Sequence, residues 1–115
     1  MEFKKLYPFD IRTKTSFDIL TKCPDKIPII VQPSSKSRLT LSRRKFLTPK
    51  DFSLLNFMSK LREHVHNLHH NATLFLLLEN GTIPLMTLSI DQLYHRYSDP
   101  DGFLYIIICE ENVFG

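Results

Sequence analysis

The sequence predicts one domain with an α+β fold of the β-grasp type, in which a mixed β-sheet wraps a single helix. Its predicted elements follow one another as strand, strand, helix, strand, short helix and strand, which is the β-grasp order. The last strand lies in the apolar run 103–109, which is typical of a central strand covered by neighbours on both sides. At 115 residues and 43% hydrophobic content, the chain can bury one core but not two.

The segment before the first strand is polar and helical in character. Ser16 can cap a turn in which Phe17 and Leu20 lie three residues apart and face one way. We therefore predict a helical arm over residues 1–22, followed by a β-grasp domain over residues 23–115 that includes the C-terminal tail. The two parts are expected to form a single compact unit.

Two strands are predicted next. The β-branched run 26–32 indicates the first, and Pro28 inside it favours an edge strand, because proline cannot donate a hydrogen bond to a neighbour. Residues 32–44 lack periodicity and contain Pro33 and four serines, which predicts a loop. An extended pattern resumes at residues 45–48 and predicts a second strand, antiparallel to the first.

The amphipathic helix of the predicted fold begins after Ser53, a residue type that caps helix N-termini. The apolar residues that recur at helical spacing after it are Leu54, Phe57, Leu61, Val65 and Leu68. This spacing places them on one face of a helix, and we expect that face to lie in the core.

The second half of the chain supplies the remaining elements. Residues 74–78 predict a buried strand, and the following Asn80-Gly81 pair predicts a chain reversal. Residues 89–97 predict a brief helix. The apolar stretch 103–108 predicts the last buried strand.

Charge is unevenly distributed along the chain. Residues 1–50 hold 12 Lys and Arg against 4 Asp and Glu, whereas residues 51–115 hold 3 against 8. A basic face would suit an acidic partner, an anionic membrane surface or RNA, although a solvated basic surface explains the charge equally well. An RNA-binding module is disfavoured, because Phe46 is the sole aromatic between residues 18 and 51 and stacking platforms need more. We expect no nucleic-acid partner.

Several classes of protein are disfavoured by composition. The apolar runs 74–78 and 103–109 are far shorter than the roughly 20 residues that span a bilayer. The first residues lack the apolar region of a signal peptide, so a cytoplasmic protein is expected. Cys23 and Cys109 lack C-x-x-C spacing and are expected to be free thiols.

The clusters that could carry chemistry are weak. On a helix, His66 and His70 would share a face at the spacing of a zinc pair, but no third ligand is evident, and histidines are common at helix ends. Either cysteine could pair with a histidine as a nucleophile only if the fold brought the two together. The chain also lacks a glycine-rich phosphate loop. We therefore expect no metal, no cofactor and no enzymatic activity.

The terminal Gly115 is a different kind of candidate. A chain that ends in Phe114-Gly115 presents an unhindered carboxylate, which suits activation as an adenylate and then as a thioester. Glycine lacks a Cβ, so its carbonyl can enter a narrow active site. Chance or trimming of the chain would produce the same ending.

Four blocks of sequence together resemble the autophagy ubiquitin-like modifiers, the family of the GABA-A receptor-associated protein and the microtubule-associated light chains. These blocks are residues 22–31, 43–52, 99–105 and 111–115, and Tyr7-Pro8-Phe9 with Arg12 resembles the family's N-terminal helix. The resemblance therefore covers nearly the whole chain.

The resemblance implies a ubiquitin-like β-grasp with two additional N-terminal helices. It implies that an E1-like enzyme activates Gly115, that an E2-like enzyme accepts it, and that the product is an amide with phosphatidylethanolamine. Phe114 would help the enzymes to recognise the tail, and a cysteine protease would later release the lipid. The protein would be cytoplasmic, and would be held on the autophagosomal membrane once lipidated. Because no residue follows Gly115, this form is expected to need no prior processing.

The resemblance also implies a groove for receptors that carry aromatic-x-x-aliphatic motifs, added as a strand beside residues 45–48. By position, the aromatic pocket would be lined by Ile19, Pro28, Ile30, Lys45, Leu47 and Phe103. The aliphatic pocket would be lined by Phe46, Pro49, Phe52, Phe57 and Leu61. Lys26 and Lys45 would attract the acidic residues that flank such motifs.

Three departures from the family pattern fall near the second pocket. Thr48 stands where valine is usual, Lys60 where an apolar residue is usual, and His64 where arginine is common. They predict a more polar second pocket. An adaptor of the same fold that binds motifs and is never conjugated remains the alternative function.

Overall fold

The computed structural model describes residues 2–112, so the predicted attachment residue Gly115 and its neighbour Phe114 lie outside the described residues. The helices are α1 (Glu2–Leu6), α2 (Phe9–Lys22), α3 (Leu54–Leu61) and α4 (Ile90–Tyr97), with one 3-10 turn at Arg62–His64. The strands are β1 (Lys26–Pro33), β2 (Thr40–Leu41), β3 (Lys45–Pro49), β4 (Val65–His66), β5 (Ala72–Leu78) and β6 (Leu104–Asn112). The two N-terminal helices predicted from the resemblance are confirmed.

A four-stranded mixed sheet forms the centre of the molecule, in the order β3-β1-β6-β5. The central strands β1 and β6 run parallel, while β3 and β5 are antiparallel to their neighbours. The predicted central position of the last strand is therefore confirmed. Helices α3 and α4 cover one face of the sheet, and α1 and α2 reach the other, so the predicted β-grasp is confirmed with its helical arm packed behind it.

The prediction that Pro28 marks an edge strand is wrong, because β1 lies between β3 and β6. The amide of Val31 points to β3, where it donates to the carbonyl of Arg44. Since backbone groups alternate in direction along a strand, the nitrogen of Pro28 points to the β6 side. Pairing with β6 begins one residue later, at Ile29 opposite Leu104. Proline is tolerated at position 28 because no hydrogen bond between β1 and β6 would involve its nitrogen.

The predicted N-cap of the amphipathic helix is confirmed. The Ser53 hydroxyl accepts a hydrogen bond from the amide of Asn56, and the Asn56 side chain accepts one from the amide of Ser53. This reciprocal pair satisfies two amides that the first turn leaves free. A second reciprocal pair, between Ser89 and Gln92, starts α4 where the sequence predicted a brief helix.

The amphipathic helix is shorter than its apolar spacing predicted. It ends at Leu61, and Val65 belongs to β4, where it pairs with Leu41 of β2. The prediction that residues 32–44 form only a loop missed β2, because β2 forms only by pairing with the distant β4. Each of the two strands has only two residues, and neither is stable without its distant partner.

Ser16 does not cap a turn as predicted. It lies inside α2, where its side chain is buried and its hydroxyl donates to the carbonyl of Asp101. Gly102 follows Asp101 with a φ of +90°, and a Cβ at that position would meet the Ser16 hydroxyl. The close approach of α2 to the loop before β6 therefore depends on a glycine.

The predicted reversal at Asn80-Gly81 is confirmed as a turn, in which Gly81 has a φ of +84° and donates to the carbonyl of Leu78. The turn does not lead into a hairpin, because the described residues between it and α4 form no strand. Within residues 2–112, no helix has the length and hydropathy that a bilayer crossing requires.

Candidate functional site

The strand β3 forms one edge of the main sheet and has a single strand neighbour, β1. The Val31 to Arg44 hydrogen bond shows that the backbone of Arg44 faces β1, so the backbone groups of Lys45 and Leu47 face outward by alternation. An exposed row of this kind is a template on which an added peptide strand can pair.

The first cavity beside β3 lies between α2 and the sheet and has a volume of about 170 Å³. All six residues predicted for the aromatic pocket line it: Ile19, Pro28, Ile30, Lys45, Leu47 and Phe103. The cavity is largely apolar because Ile30 and Phe103 belong to the small core cluster on this face of the sheet. Its floor is therefore part of a packed core, and Lys45 and Leu47 of the open edge of β3 line its side.

Sequence reasoning missed that α1 contributes to this cavity through Phe3. The Phe3 ring lies 5.3 Å from the ring of Phe103 and 5.0 Å from that of Tyr7. The ammonium of Lys45 lies 5.4 Å from the Phe3 ring, within the range of a cation-π contact. The aromatic pair at positions 3 and 7 has the spacing of one helix face and could have indicated this role.

Ion pairs hold α1 in place against the rest of the molecule. The Lys4 ammonium lies 2.5 Å from a carboxylate oxygen of Asp99 and 3.0 Å from one of Glu79. Although burial alone would raise the pKa of Asp99, its hydrogen bonds with Lys4 and with the Asp101 amide lower it below its ordinary value. Glu2 adds a pair with Arg44 at 2.7 Å.

Because the pKa of Asp99 is lowered in the folded state, its ionised form stabilises the folded state. This stabilisation is complete above the unfolded value of about 3.9 and is lost as the pH falls through the lower folded value. We expect α1 to loosen in that acidic range, which hydrogen exchange at the α1 amides would detect. Asp99→Asn should weaken α1 at neutral pH and remove most of the acid-induced change. An unchanged pH profile in the variant would contradict this role.

The second cavity lies on the other side of β3, towards α3, and has a volume of about 390 Å³. Four residues predicted for the aliphatic pocket line it: Phe46, Pro49, Phe52 and Phe57. The prediction for Leu61 is wrong, because Leu61 is fully buried in the core and lies outside this lining. One residue earlier on α3, Lys60 takes the lining position.

The charged residues predicted to attract acidic flanks lie at the two cavities. Lys26 lines the second and Lys45 lines the first. The three departures from the family pattern, Thr48, Lys60 and His64, all line the second cavity. The ring of His64 lies 5.5 Å from that of Phe46, in an edge-to-face arrangement. The second cavity is therefore the more polar of the two.

The weaker sequence clusters are not brought together as sites. His66 lies in β4 and His70 follows it in a loop, so the helical face that the zinc alternative required does not form. Across residues 2–112, no group of three metal-ligating side chains converges. Both cysteines are free thiols, as predicted. Burial, with the charge of Glu111, raises the pKa of the Cys109 thiol, which disfavours the nucleophilic thiolate.

A buried polar cluster fastens α2 to the sheet behind the first cavity. The fully buried carboxylate of Asp101 lies 2.6 Å from the guanidinium of Arg12 and accepts a hydrogen bond from the Tyr105 hydroxyl. Burial and this bond raise the pKa of Tyr105 far above its ordinary value, so the hydroxyl remains protonated. Asp101 also accepts a bond from the Phe103 amide, which orients that cavity residue.

Comparison with known proteins agrees with this geometry. The family model described as "Autophagy protein Atg8 ubiquitin like" matches residues 11–115. The chain belongs to the Atg8 family. Autophagy-related protein 8 of Dictyostelium discoideum is 36% identical to this Atg8-family chain over 114 residues, covering 98% of the chain and 93% of that relative.

Two solved structures extend the comparison. The crystal structure of Trypanosoma brucei ATG8 superposes on this Atg8-family chain with a TM-score of 0.88 and 31% identity, covering 100% of the chain and 98% of its own. Plasmodium falciparum Atg8, in complex with a peptide of Plasmodium falciparum Atg3, superposes with a TM-score of 0.81 and 26% identity, covering 95% and 98%. The chain is thus a ubiquitin-like autophagy protein, and the resemblance found in its sequence is confirmed.

Proposed function

We propose that this Atg8-family protein is joined through the carboxylate of Gly115 to phosphatidylethanolamine, and that it then recruits receptors to the autophagosomal membrane. E1-like and E2-like enzymes carry out the conjugation, and a cysteine protease reverses it. Before conjugation the protein is cytoplasmic. The family match over residues 11–115 supports Gly115 as the attachment residue, because the match includes the tail.

The receptor-binding half of the proposal rests on one observation: the open edge of β3 has a cavity on each side. A peptide strand added at this edge would form backbone hydrogen bonds with Lys45 and Leu47. Alternate side chains of an extended peptide point to opposite faces, so two anchor residues can enter different cavities. The aromatic anchor enters the first cavity, beside Phe103. The complex of the Plasmodium relative with a peptide supports short peptides as ligands of this fold.

One side-chain contact already lies at the open edge where an added strand would pair. The Arg43 guanidinium donates to the carbonyl of Lys45 at 2.9 Å, and this carbonyl faces the open edge. Because a carbonyl oxygen has two lone pairs, it can accept a hydrogen bond from an amide of the incoming peptide as well as the one from Arg43.

Leu47→Ala should weaken the binding of an aromatic-x-x-aliphatic peptide about tenfold, because Leu47 lines the first cavity and its removal leaves the aromatic anchor incompletely packed. Phe46→Ala should have a similar effect through the second cavity. Isothermal titration calorimetry measures both. Leu85→Ala is the matched control, since Leu85 is 69% exposed and lines neither cavity. Affinities unchanged from the wild type would refute the groove.

A further inference from the structure

A third cavity lies beside the first and has the same volume, about 170 Å³. Three apolar side chains of the N-terminal segment form its wall: Phe3, Leu6 and Tyr7. Its floor is formed by Ile30 and Val31, which are buried. Because Phe3 and Ile30 also line the first cavity, the two cavities share one continuous apolar surface.

The polar side chains around the third cavity already have partners within the protein. The Arg44 guanidinium lies 2.7 Å from a carboxylate oxygen of Glu2. The side-chain oxygen of Gln32 accepts a hydrogen bond from the Glu2 amide at 2.7 Å. The Lys45 ammonium lies 5.4 Å from the Phe3 ring, in the range of a cation-π contact. A ligand therefore meets mainly apolar surface here, which favours an apolar occupant.

The apolar wall of the third cavity is only partly covered by the protein itself. The helix α1 has no buried residue, and Leu6 is 66% exposed while Tyr7 is 40% exposed. Covering exposed apolar surface of this kind is favourable, because it removes the surface from water. The cavity thus suits a bulky aliphatic or aromatic side chain of a partner.

The positions of the first two cavities set the direction of a docked peptide. Of these two cavities, Lys45 at the start of β3 lines only the first, whereas Thr48 and Pro49 at its end line only the second. The aromatic anchor comes before the aliphatic anchor in the motif, so the peptide runs parallel to β3. Residues before the aromatic anchor therefore continue past Lys45 towards Arg44, which lines the third cavity.

Strand geometry decides which of these earlier residues can reach the third cavity. Side chains two residues apart in a strand point to the same face and are about 6.6 Å apart along the strand. The residue two positions before the aromatic anchor thus points to the same face as that anchor, next to the first cavity. The residue directly before the anchor points to the opposite face.

We propose that the third cavity binds a bulky apolar side chain two positions before the aromatic anchor. The receptor motif of this chain is then apolar-x-aromatic-x-x-aliphatic. This inference rests on the proposed groove and narrows the class of receptor that the groove recognises. It makes Leu6, which lines the third cavity and neither of the other two, a determinant of specificity.

Three synthetic peptides with the same aromatic-x-x-aliphatic core test the proposal by calorimetry. The first has leucine two positions before the aromatic anchor, the second has alanine there, and the third has that alanine with leucine directly before the anchor. We expect the first to bind the wild-type protein about fivefold more tightly than the second, because it buries more apolar surface. The third should bind like the second, since its leucine points away from the third cavity.

Leu6→Ala tests the cavity from the side of the protein. It should lower the preference for the first peptide over the second from about fivefold to about twofold, and should leave binding of the second peptide unchanged. The exposed position of Leu6 makes unfolding of the variant unexpected, and circular dichroism checks this. The matched control is Leu85→Ala, which is 69% exposed, lines none of the three cavities and should keep the fivefold preference.

Two kinds of failure are distinguishable. Equal binding of the first and second peptides, equal binding of the first and third, or an equal loss of both peptides in Leu6→Ala would overturn this proposal. The groove itself would stand in those cases if Leu47→Ala weakens all three peptides. Failure of every peptide to bind, or binding that Leu47→Ala leaves unchanged, would overturn the groove as well.

Discussion

Replacing Gly115 with alanine should reduce lipid conjugation at least about 100-fold, the loss expected when a reacting carbonyl is displaced by about 1 Å. The added methyl group restricts the backbone of the last residue and crowds its carbonyl. Both activation of the carboxylate and its transfer to the lipid amine require close approach of that carbonyl. The measurement is a time course with E1-like and E2-like enzymes, ATP and phosphatidylethanolamine liposomes, following the thioester and the lipid-shifted band.

Two controls make this experiment decisive. Leu85→Ala, an exposed position that lines neither cavity, should be conjugated at the wild-type rate. Gly115→Ala should bind motif peptides like the wild type, because it leaves the described lining of both cavities unchanged. If wild type and Gly115→Ala give the same products at the same rate, conjugation does not depend on a terminal glycine, which contradicts the proposed role of Gly115. If neither gives a product while peptides bind, the alternative function as an unconjugated adaptor is favoured.

Asp101→Ala should lower the free energy of unfolding by about 3–5 kcal/mol, the range found when one member of a buried ion pair is removed. The variant leaves Arg12 without its carboxylate and the Tyr105 hydroxyl without its acceptor. It also removes the acceptor for the Phe103 amide, so the wall of the first cavity should loosen. Urea unfolding followed by far-ultraviolet circular dichroism measures the change.

The matched control for Asp101 is Asp18→Ala on the exposed side of α2, which should change the free energy of unfolding by less than about 0.5 kcal/mol. Tyr105→Phe tests the cluster more gently, since it removes one hydrogen bond and keeps the ion pair. It should cost about 1 kcal/mol. A loss below 1 kcal/mol for Asp101→Ala would show that the cluster does not hold α2 to the sheet.

The predictions that failed share a physical cause. Apolar spacing predicted a helix as far as Leu68, but the backbone of Val65 pairs with Leu41, more than twenty residues earlier in the chain. Proline chemistry predicted an edge strand at Pro28. The pairing of β1 with β6 begins only at Ile29, so no residue of β6 lies opposite Pro28 to accept a hydrogen bond from its nitrogen. In each case a local preference was overridden by a contact between distant parts of the chain.

At the candidate site, too, some residues were predicted correctly from the sequence and others depended on how distant elements pack. The six residues assigned to the first pocket by resemblance line one cavity. In the second, a shift of one residue along α3 exchanges Leu61 for Lys60, because successive helix positions differ in direction by about 100°. The contribution of Phe3 was missed because it depends on where α1 packs.

The sequence by itself determined the order of the four main-sheet strands and their helices, the cap of α3, the buried last strand and the family of the chain. These features depend on short-range periodicity, on single capping side chains and on matched blocks of residues. Only the tertiary structure decided that Pro28 is central, that α1 closes the first cavity and that three cations converge on the second. Those features depend on strand pairing and helix packing between residues far apart in sequence, which no local pattern contains.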